Sequence, residues 1–143
     1  MKTTNYDKNL FIIASLWNFG AAIPSWIGML LIPDILFPYF GMPIATSLFP
    51  FNAMFSLIIV FGIGYLMVSE NVTQNHAIIF TGMIGKVLFF CNCLIALFIQ
   101  QGNLLLIFTG VVDLIFAVLF LQFLRKNKYA FIKRTEKTVA IKS

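Results

Sequence analysis

Four long apolar stretches dominate this sequence and leave few folds open to it. They cover residues 10–32, 52–68, 77–100 and 104–124, separated by polar turns or by a proline-containing connection. A helix needs about 20 apolar residues to cross a bilayer, and within lipid only helices and closed barrels satisfy every backbone polar group. Barrel strands alternate apolar and polar residues, a pattern that these stretches lack. The sequence therefore predicts an all-α fold, a polytopic membrane bundle of four transmembrane helices.

The composition of the 143-residue chain disfavours several other classes of protein. Apolar residues make up 60% of it and charged residues 10%, whereas soluble domains average roughly 45–50% and 25%. A water-soluble globule and a nucleic-acid-binding module are poor fits to these values. We therefore expect membrane lipids around the protein and no nucleic-acid partner.

Basic residues mark the two ends of the chain. Apart from one lysine within a span, every lysine and arginine lies near the N-terminus or after Leu124. Because basic segments stay on the cytoplasmic side, we expect both termini in the cytoplasm, with the protein in a bacterial inner membrane. The expected organisation is one bundle over residues 1–124 and a basic tail over residues 125–143. A cleaved signal peptide over Met1–Ala22 is the alternative, which the continuing apolar run disfavours.

The connection Pro33–Phe49 is unusually apolar and contains three prolines. Proline interrupts helices, so this segment cannot be one continuous helix. We expect it to lie along the membrane interface, with Phe37, Tyr39 and Phe40 among the aromatic residues at that level. The alternative is a lid over a cavity between the helices. Trp17 is too deep for an interface residue, and either stacks on a bound hydrophobic molecule or packs in the bundle.

Lys86 and Asp113 are the only formal charges within the predicted spans. Each costs about 2.5–3.5 kcal/mol at a helix centre, so each needs a compensating partner. Lys86 lies nine residues into its span and Asp113 lies eleven residues before the end of the next, which places them within about 3 Å in depth. We expect an ion pair, which either locks the last two helices together or lines a polar cavity.

Small and polar residues follow one side of each predicted helix, as in membrane helices that approach closely. On the first helix this side includes Asn18, and on the third we expect Lys86 and Asn92 to share an arc. One interpretation is helix packing alone. The other is a small polar pocket, for ligand binding or proton relay, floored by Asn18, Lys86, Asn92 and Asp113.

The sequence offers little catalytic chemistry. His76 is the only histidine, and a single histidine is weak evidence for a metal site. Cys91 and Cys93 lie two apart, about 200° around a helix, so they cannot bridge each other there. No pattern of nucleophile and base, phosphate loop or metal-ligand spacing is found, so we expect no metal and no cofactor.

Three short motifs resemble those of a known group. They are Phe61-Gly62-Ile63-Gly64-Tyr65, Gly82-Met83-Ile84-Gly85-Lys86 and Asp113-Leu114-Ile115-Phe116-Ala117. In this order they resemble small bacterial four-helix membrane proteins, loosely DoxX-like, over roughly residues 9–124. The resemblance implies a four-helix bundle of largely unassigned activity. It adds weight to Lys86 and Asp113 and implies no substrate.

Three functions stay open. The preferred prediction is a small membrane protein, or an accessory membrane subunit, that binds a hydrophobic or amphipathic ligand of the lipid or quinone type in the pocket. The second is a proton-coupled transporter or permease module in which Asp113 titrates. The third is a structural interaction protein without a ligand, in a homo-oligomer or with a partner membrane protein. An enzyme ranks fourth.

Overall fold

The computed structural model describes residues 5–72 and 74–142, with side chains as far as Asn127. This part of the chain is helical and contains no strand. Its elements are α1 (Asn5–Leu31), α2 (Pro33–Tyr39), α3 (Phe49–Glu70), α4 (His76–Phe98) and α5 (Leu104–Lys142).

Four of the described helices are long and apolar enough to cross a membrane: α1, α3, α4 and the Leu104–Asn127 part of α5. The predicted all-α class with four membrane-length helices is confirmed. Helix α1 begins at Asn5 rather than at residue 10, because helical geometry extends into the polar residues before the apolar stretch. The other bounds differ from the predicted ones by at most three residues, the end of α5 apart.

Helix α5 does not stop where its apolar stretch ends at Leu124. Its backbone stays helical to Lys142, and the segment after Leu124 contains neither proline nor glycine to interrupt it. The side chains of residues 128–143, which include most of the predicted basic tail, lie outside the described residues.

The connection after α1 contains a short helix. Pro33 occupies the first turn of α2, where its missing N–H needs no partner. Gly41 then adopts a φ of +71°, a conformation that favours glycine. The chain there contacts the turn between α4 and α5, where Asn103 donates from its backbone N to Phe40 O (3.2 Å) and from Nδ2 to Tyr39 O (2.8 Å). We call these two hydrogen bonds the Asn103 clasp.

The four long helices form two close pairs, with α1 along α3 and α4 along α5. At the end of the bundle where α1 begins and α3 meets α4, which we call the termini end, one core cluster unites all four. Phe11 is fully buried there, with its ring 5.2 Å from that of Phe120 and 5.3 Å from that of Phe123. Tyr65 of α3 packs on Phe120 at 5.1 Å. Large aromatic side chains therefore fill the space between the pairs at this end.

A second core cluster lies at the opposite end, which we call the connection end. Its described members come from α1, α2, α3 and the segment between α2 and α3, and none comes from α4 or α5. Phe37 is fully buried in it, edge-on to Phe51 at 4.9 Å. The ring is turned inward because α2 packs on α1, and the expected position of Phe37 at the level of the membrane interface stays a prediction. Tyr39 is 61% exposed and Phe40 is half-buried.

Candidate functional site

Lys86 of α4 and Asp113 of α5 form a buried ion pair. Lys86 Nζ lies 2.6 Å from Asp113 Oδ1, and the two side chains are 5% and 16% exposed. The expected pairing is therefore present. It arises because a short turn makes α4 and α5 antiparallel neighbours, and the two residues lie nine and eleven residues from the ends of their predicted spans on the same side, which gives them similar depths.

Two neutral side chains of α1 extend the ion pair into a network. Lys86 Nζ also donates to Asn18 Oδ1 at 3.0 Å, and Trp17 Nε1 donates to Asp113 Oδ1 at 2.9 Å. Hydrogen bonds to charged groups are stronger than neutral ones. The network of Trp17, Asn18, Lys86 and Asp113 therefore ties α1 of one helix pair to both helices of the other.

Further hydrogen bonds join α1 to α3 next to this network. Asn18 Nδ2 donates to Ile58 O at 3.0 Å, and Ser15 Oγ donates to Gly62 O at 2.8 Å. A carbonyl oxygen has two lone pairs, so it accepts such a bond without losing its helical partner. Asn18 is thereby held with its amide oxygen towards Lys86, and its orientation does not depend on the charge alone.

Aromatic rings surround the ammonium group of Lys86. Its Nζ lies 5.2 Å from the centre of the Phe116 ring and 5.7 Å from that of Tyr65, within the range of a cation–π interaction. The Tyr65 ring in turn packs directly on the backbone of Gly82, where an added Cβ would overlap its hydroxyl oxygen. Glycine at position 82 therefore lets Tyr65 reach the lysine.

The fully buried polar atoms of the network all have partners among the described residues. No buried side-chain nitrogen or oxygen in this part of the chain lacks a hydrogen-bond partner. The attraction between the two opposite charges offsets the free-energy cost of removing each of them from water. Removal of one partner would leave the other charge buried and uncompensated.

The structure brings together three of the four residues predicted to floor a pocket, and Asn92 is not among them. Asn92 is exposed and donates to Leu88 O of its own helix at 2.8 Å. It lies six residues after Lys86, which turns it about 120° away around the helix. Its predicted place beside Lys86 is therefore wrong.

Trp17 has a role that the sequence analysis did not assign. It was expected to stack on a bound hydrophobic molecule or to pack in the bundle, and in the structure it donates a hydrogen bond to Asp113. One signal in the sequence pointed there, since an indole N–H deep in an apolar helix needs an acceptor. Asp113 is the only carboxylate within the four predicted spans. Ser15 and Tyr65 were missed as well, and neither carries a comparable signal.

Burial changes on passing through the network along α5. Four and seven residues beyond Asp113, towards the termini end, Ala117 and Phe120 are 3% and 0% exposed. Four and seven residues before it, Thr109 and Leu106 are only half-buried. On α1 burial does not change in this way, because Ala22 and Met29, beyond Asn18, are 0% and 3% exposed, although Ser25 between them is half-buried. Ser25, Leu106 and Thr109 all lie on the connection-end side of the network, and we call these half-buried positions the seam.

Two surface cavities lie away from the network. The larger, of about 430 Å³, is a groove between α3 and α4, and the other, of about 310 Å³, lies against the segment after α2. Neither is lined by Lys86, Asp113 or a residue of the seam. The described residues contain no group of three His, Cys, Asp or Glu side chains that could hold a metal ion.

Fold and site together define an all-helical protein with four membrane-length helices and an ion pair buried between them. The chain matches no family model, and it is significantly similar to no curated protein and no solved structure with which it was compared. The DoxX-like resemblance stays a prediction.

Proposed function

We propose that the protein spans a bacterial inner membrane with its termini end in the cytoplasm. The charge distribution supports this orientation. Lys8, Arg125 and Lys126 flank the termini end, whereas the segments at the connection end contain neither lysine nor arginine. Basic flanks favour the cytoplasmic side, so the connection end faces outwards.

We further propose that the protein binds a hydrophobic or amphipathic ligand, of the lipid or quinone type, in the seam, alone or as an accessory subunit. The observation that carries this proposal is the change in burial on α5 across Asp113. On the cytoplasmic side of Asp113 the two helix pairs share a core, and on the other side Thr109 and Leu106 are half-buried. A ligand chain from the outer leaflet would lie in the seam, against the half-buried Thr109 and Leu106.

The network supplies the polar end of such a site. Asp113 keeps 16% of its side chain exposed, and the Trp17 indole next to it offers a flat apolar surface. A ligand hydroxyl could donate a hydrogen bond to Asp113, and a ligand carbonyl could accept one from Trp17. The ligand need not carry a charge, because Lys86 already balances Asp113. Tyr39 and Phe40, beside the Asn103 clasp, would then border the entrance.

A fluorescence experiment tests the ligand proposal. Trp26→Phe leaves Trp17 as the only tryptophan, and its emission is measured in phosphatidylcholine vesicles that contain a decyl-substituted benzoquinone as quencher. We expect quenching that saturates at a low mole fraction of the quinone, because binding in the seam brings the ring to Trp17. Quenching that rises linearly, as by random collision in the bilayer, would contradict the proposal.

Two matched variants locate the site. Ser25→Leu adds volume in the seam, so we expect it to weaken the saturating phase several-fold. Gly20→Leu adds the same side chain on α1 where an added Cβ meets nothing within 4 Å, and it should leave that phase unchanged. Equal effects of both substitutions would place the quinone elsewhere.

Proton-coupled transport is the second candidate. The observation in its favour is that Asp113, the acid of the network, is more exposed than its lysine partner. In vesicles with a fluorescent pH indicator inside, a transporter would carry protons in response to a pH gradient, and Asp113→Asn would abolish that flux. A flux equal to that of empty vesicles would exclude this candidate.

A further inference from the structure

Polar side chains face outwards at two positions along α4. Thr81 and Asn92 are both exposed, and they lie five and sixteen residues after the first residue of the helix, His76. At 1.5 Å per residue, Asn92 lies about 24 Å along a helix of about 35 Å. Both positions therefore fall within the hydrocarbon layer, about 30 Å thick, if α4 spans the bilayer.

Both polar groups have hydrogen-bonding atoms without a partner in the described part of the chain, and lipid tails cannot supply one. The Asn92 amide donates to Leu88 O, and its oxygen accepts no hydrogen bond among the described residues. The Thr81 hydroxyl, likewise, makes none within the described part of the chain. A polar group left facing hydrocarbon without a hydrogen bond carries a substantial free-energy cost. The outward side of α4 is thus poorly matched to lipid and well matched to another polar helix surface.

The spacing of this surface suits the close approach of a second helix. Thr81, Gly85, Leu88 and Asn92 follow one another at intervals of four, three and four residues, which places them on one side of the helix. A Cβ built on Gly85 would meet nothing within 4 Å. The packing of this chain therefore gives no reason for glycine there, in contrast to Gly82, which contacts Tyr65.

The surface continues into the larger of the two cavities described above. The groove of about 430 Å³ between α3 and α4 is lined by Thr81 and Ala77 on one side and by Val60, Gly64 and Met67 on the other. The apolar side chains of a helix lying across Gly85 would fill this groove.

We propose that a second copy of this chain covers this surface, with the two α4 helices crossing near Gly85 about a twofold axis normal to the membrane. Copies inserted in the same orientation bring each residue near the axis opposite its own equivalent. A carboxamide is both donor and acceptor, so Asn92 is complementary to Asn92 of the second copy, as amide side chains are in membrane helix pairs. The surface lies about 120° from Lys86 on α4, so the inference does not rest on the proposed ligand site.

Disulfide cross-linking in membranes tests this arrangement. In a Cys91→Ser, Cys93→Ala background, Gly85→Cys should give a covalent dimer on mild oxidation, because residues beside a twofold axis come within disulfide reach. Gly20→Cys, at the exposed glycine of α1, is the matched control and should stay monomeric. No cross-link at residue 85, or equal cross-linking at both positions, would overturn the proposal and leave lipid or another protein as the occupant.

A second measurement keeps both native cysteines. We expect Asn92→Leu to weaken dimerisation about threefold to tenfold, measured as energy transfer between labelled copies in detergent, since one interhelical hydrogen bond is lost. Ser56→Leu is the control, because Ser56 is also exposed and also bonds a carbonyl four residues earlier, Asn52 O. Dimerisation of Asn92→Leu equal to that of the control would contradict the role of Asn92.

Discussion

The indole Nε1 of Trp17 donates to Asp113 Oδ1 at 2.9 Å, across a sequence separation of 96 residues. This bond joins the first membrane-length helix to the last. Because Lys86 donates to the same oxygen, one carboxylate oxygen of Asp113 receives donors from both helix pairs. Asp113 thus links the two helix pairs in the middle of the bundle.

Loss of the Trp17 donor should loosen this junction. We expect Trp17→Phe to lower the free energy of unfolding by about 1–2 kcal/mol, as for interhelical hydrogen bonds in membranes. Titration with a denaturing detergent, followed by circular dichroism, measures it. Trp26→Phe is the control, since it removes the bond from Trp26 Nε1 to Asn52 Oδ1, which involves no charge. A loss for Trp17→Phe no larger than that of the control would contradict the special role of the Asp113 junction.

Gly82 should tolerate no side chain. Gly82→Ala would place a methyl group against the hydroxyl end of the Tyr65 ring, and we expect a loss of about 1–3 kcal/mol of stability from this overpacking. Gly20→Ala should instead be neutral or stabilise by up to about 1 kcal/mol, because the position is open and alanine favours helix. Both are measured by the same unfolding titration, and equal losses would show that the Tyr65 contact is not tight.

Asn103 combines two roles that one pair of substitutions separates. Its Oδ1 accepts from the backbone N of Leu105 and Leu106 at the start of α5 (3.1 and 3.3 Å), and its Nδ2 forms part of the clasp. Asn103→Ala loses the cap and the Nδ2 bond of the clasp, while its backbone N still donates to Phe40 O, and we expect a loss of about 1–2 kcal/mol from the cap alone. Asn103→Asp keeps an acceptor for the cap but loses the donor to Tyr39.

The clasp also borders the proposed ligand entrance. Asn103→Asp should therefore be nearly as stable as the parent protein, yet speed the onset of Trp17 quenching by the decyl-benzoquinone in a stopped-flow measurement. An unchanged onset, with cap stability retained, would show that the clasp does not limit entry.

The depth of a residue along a span could be predicted from the sequence, and its angular position less well. Lys86 and Asp113 were placed together because they lie nine and eleven residues from the ends of their spans on the same side of the membrane, which fixes nearly equal depths. Asn92 was misplaced because a step of six residues carries it about 120° around the helix. The burial of Phe37 was not predicted, because a short proline-containing segment has no long periodic pattern that shows which side faces inwards.

Contacts between helices that are distant in sequence were the hardest to predict. The bond from Trp17 to Asp113 depends on how α1 lies against α5, and no short turn fixes that relation as the turn between α4 and α5 fixes Lys86 opposite Asp113. The half-buried seam likewise depends on the packing of two helix pairs, which the apolar pattern of each separate helix does not determine.

The central claim is that Lys86 and Asp113 are coupled within the membrane, and a double-mutant cycle tests it most directly. Lys86→Met and Asp113→Asn are made singly and together, and the free energy of unfolding is measured in one detergent. We predict losses of about 3–5 kcal/mol for each single change, because each leaves a buried charge unpaired. The double variant should lose clearly less than the sum, since neither charge remains. Strictly additive losses would contradict the account.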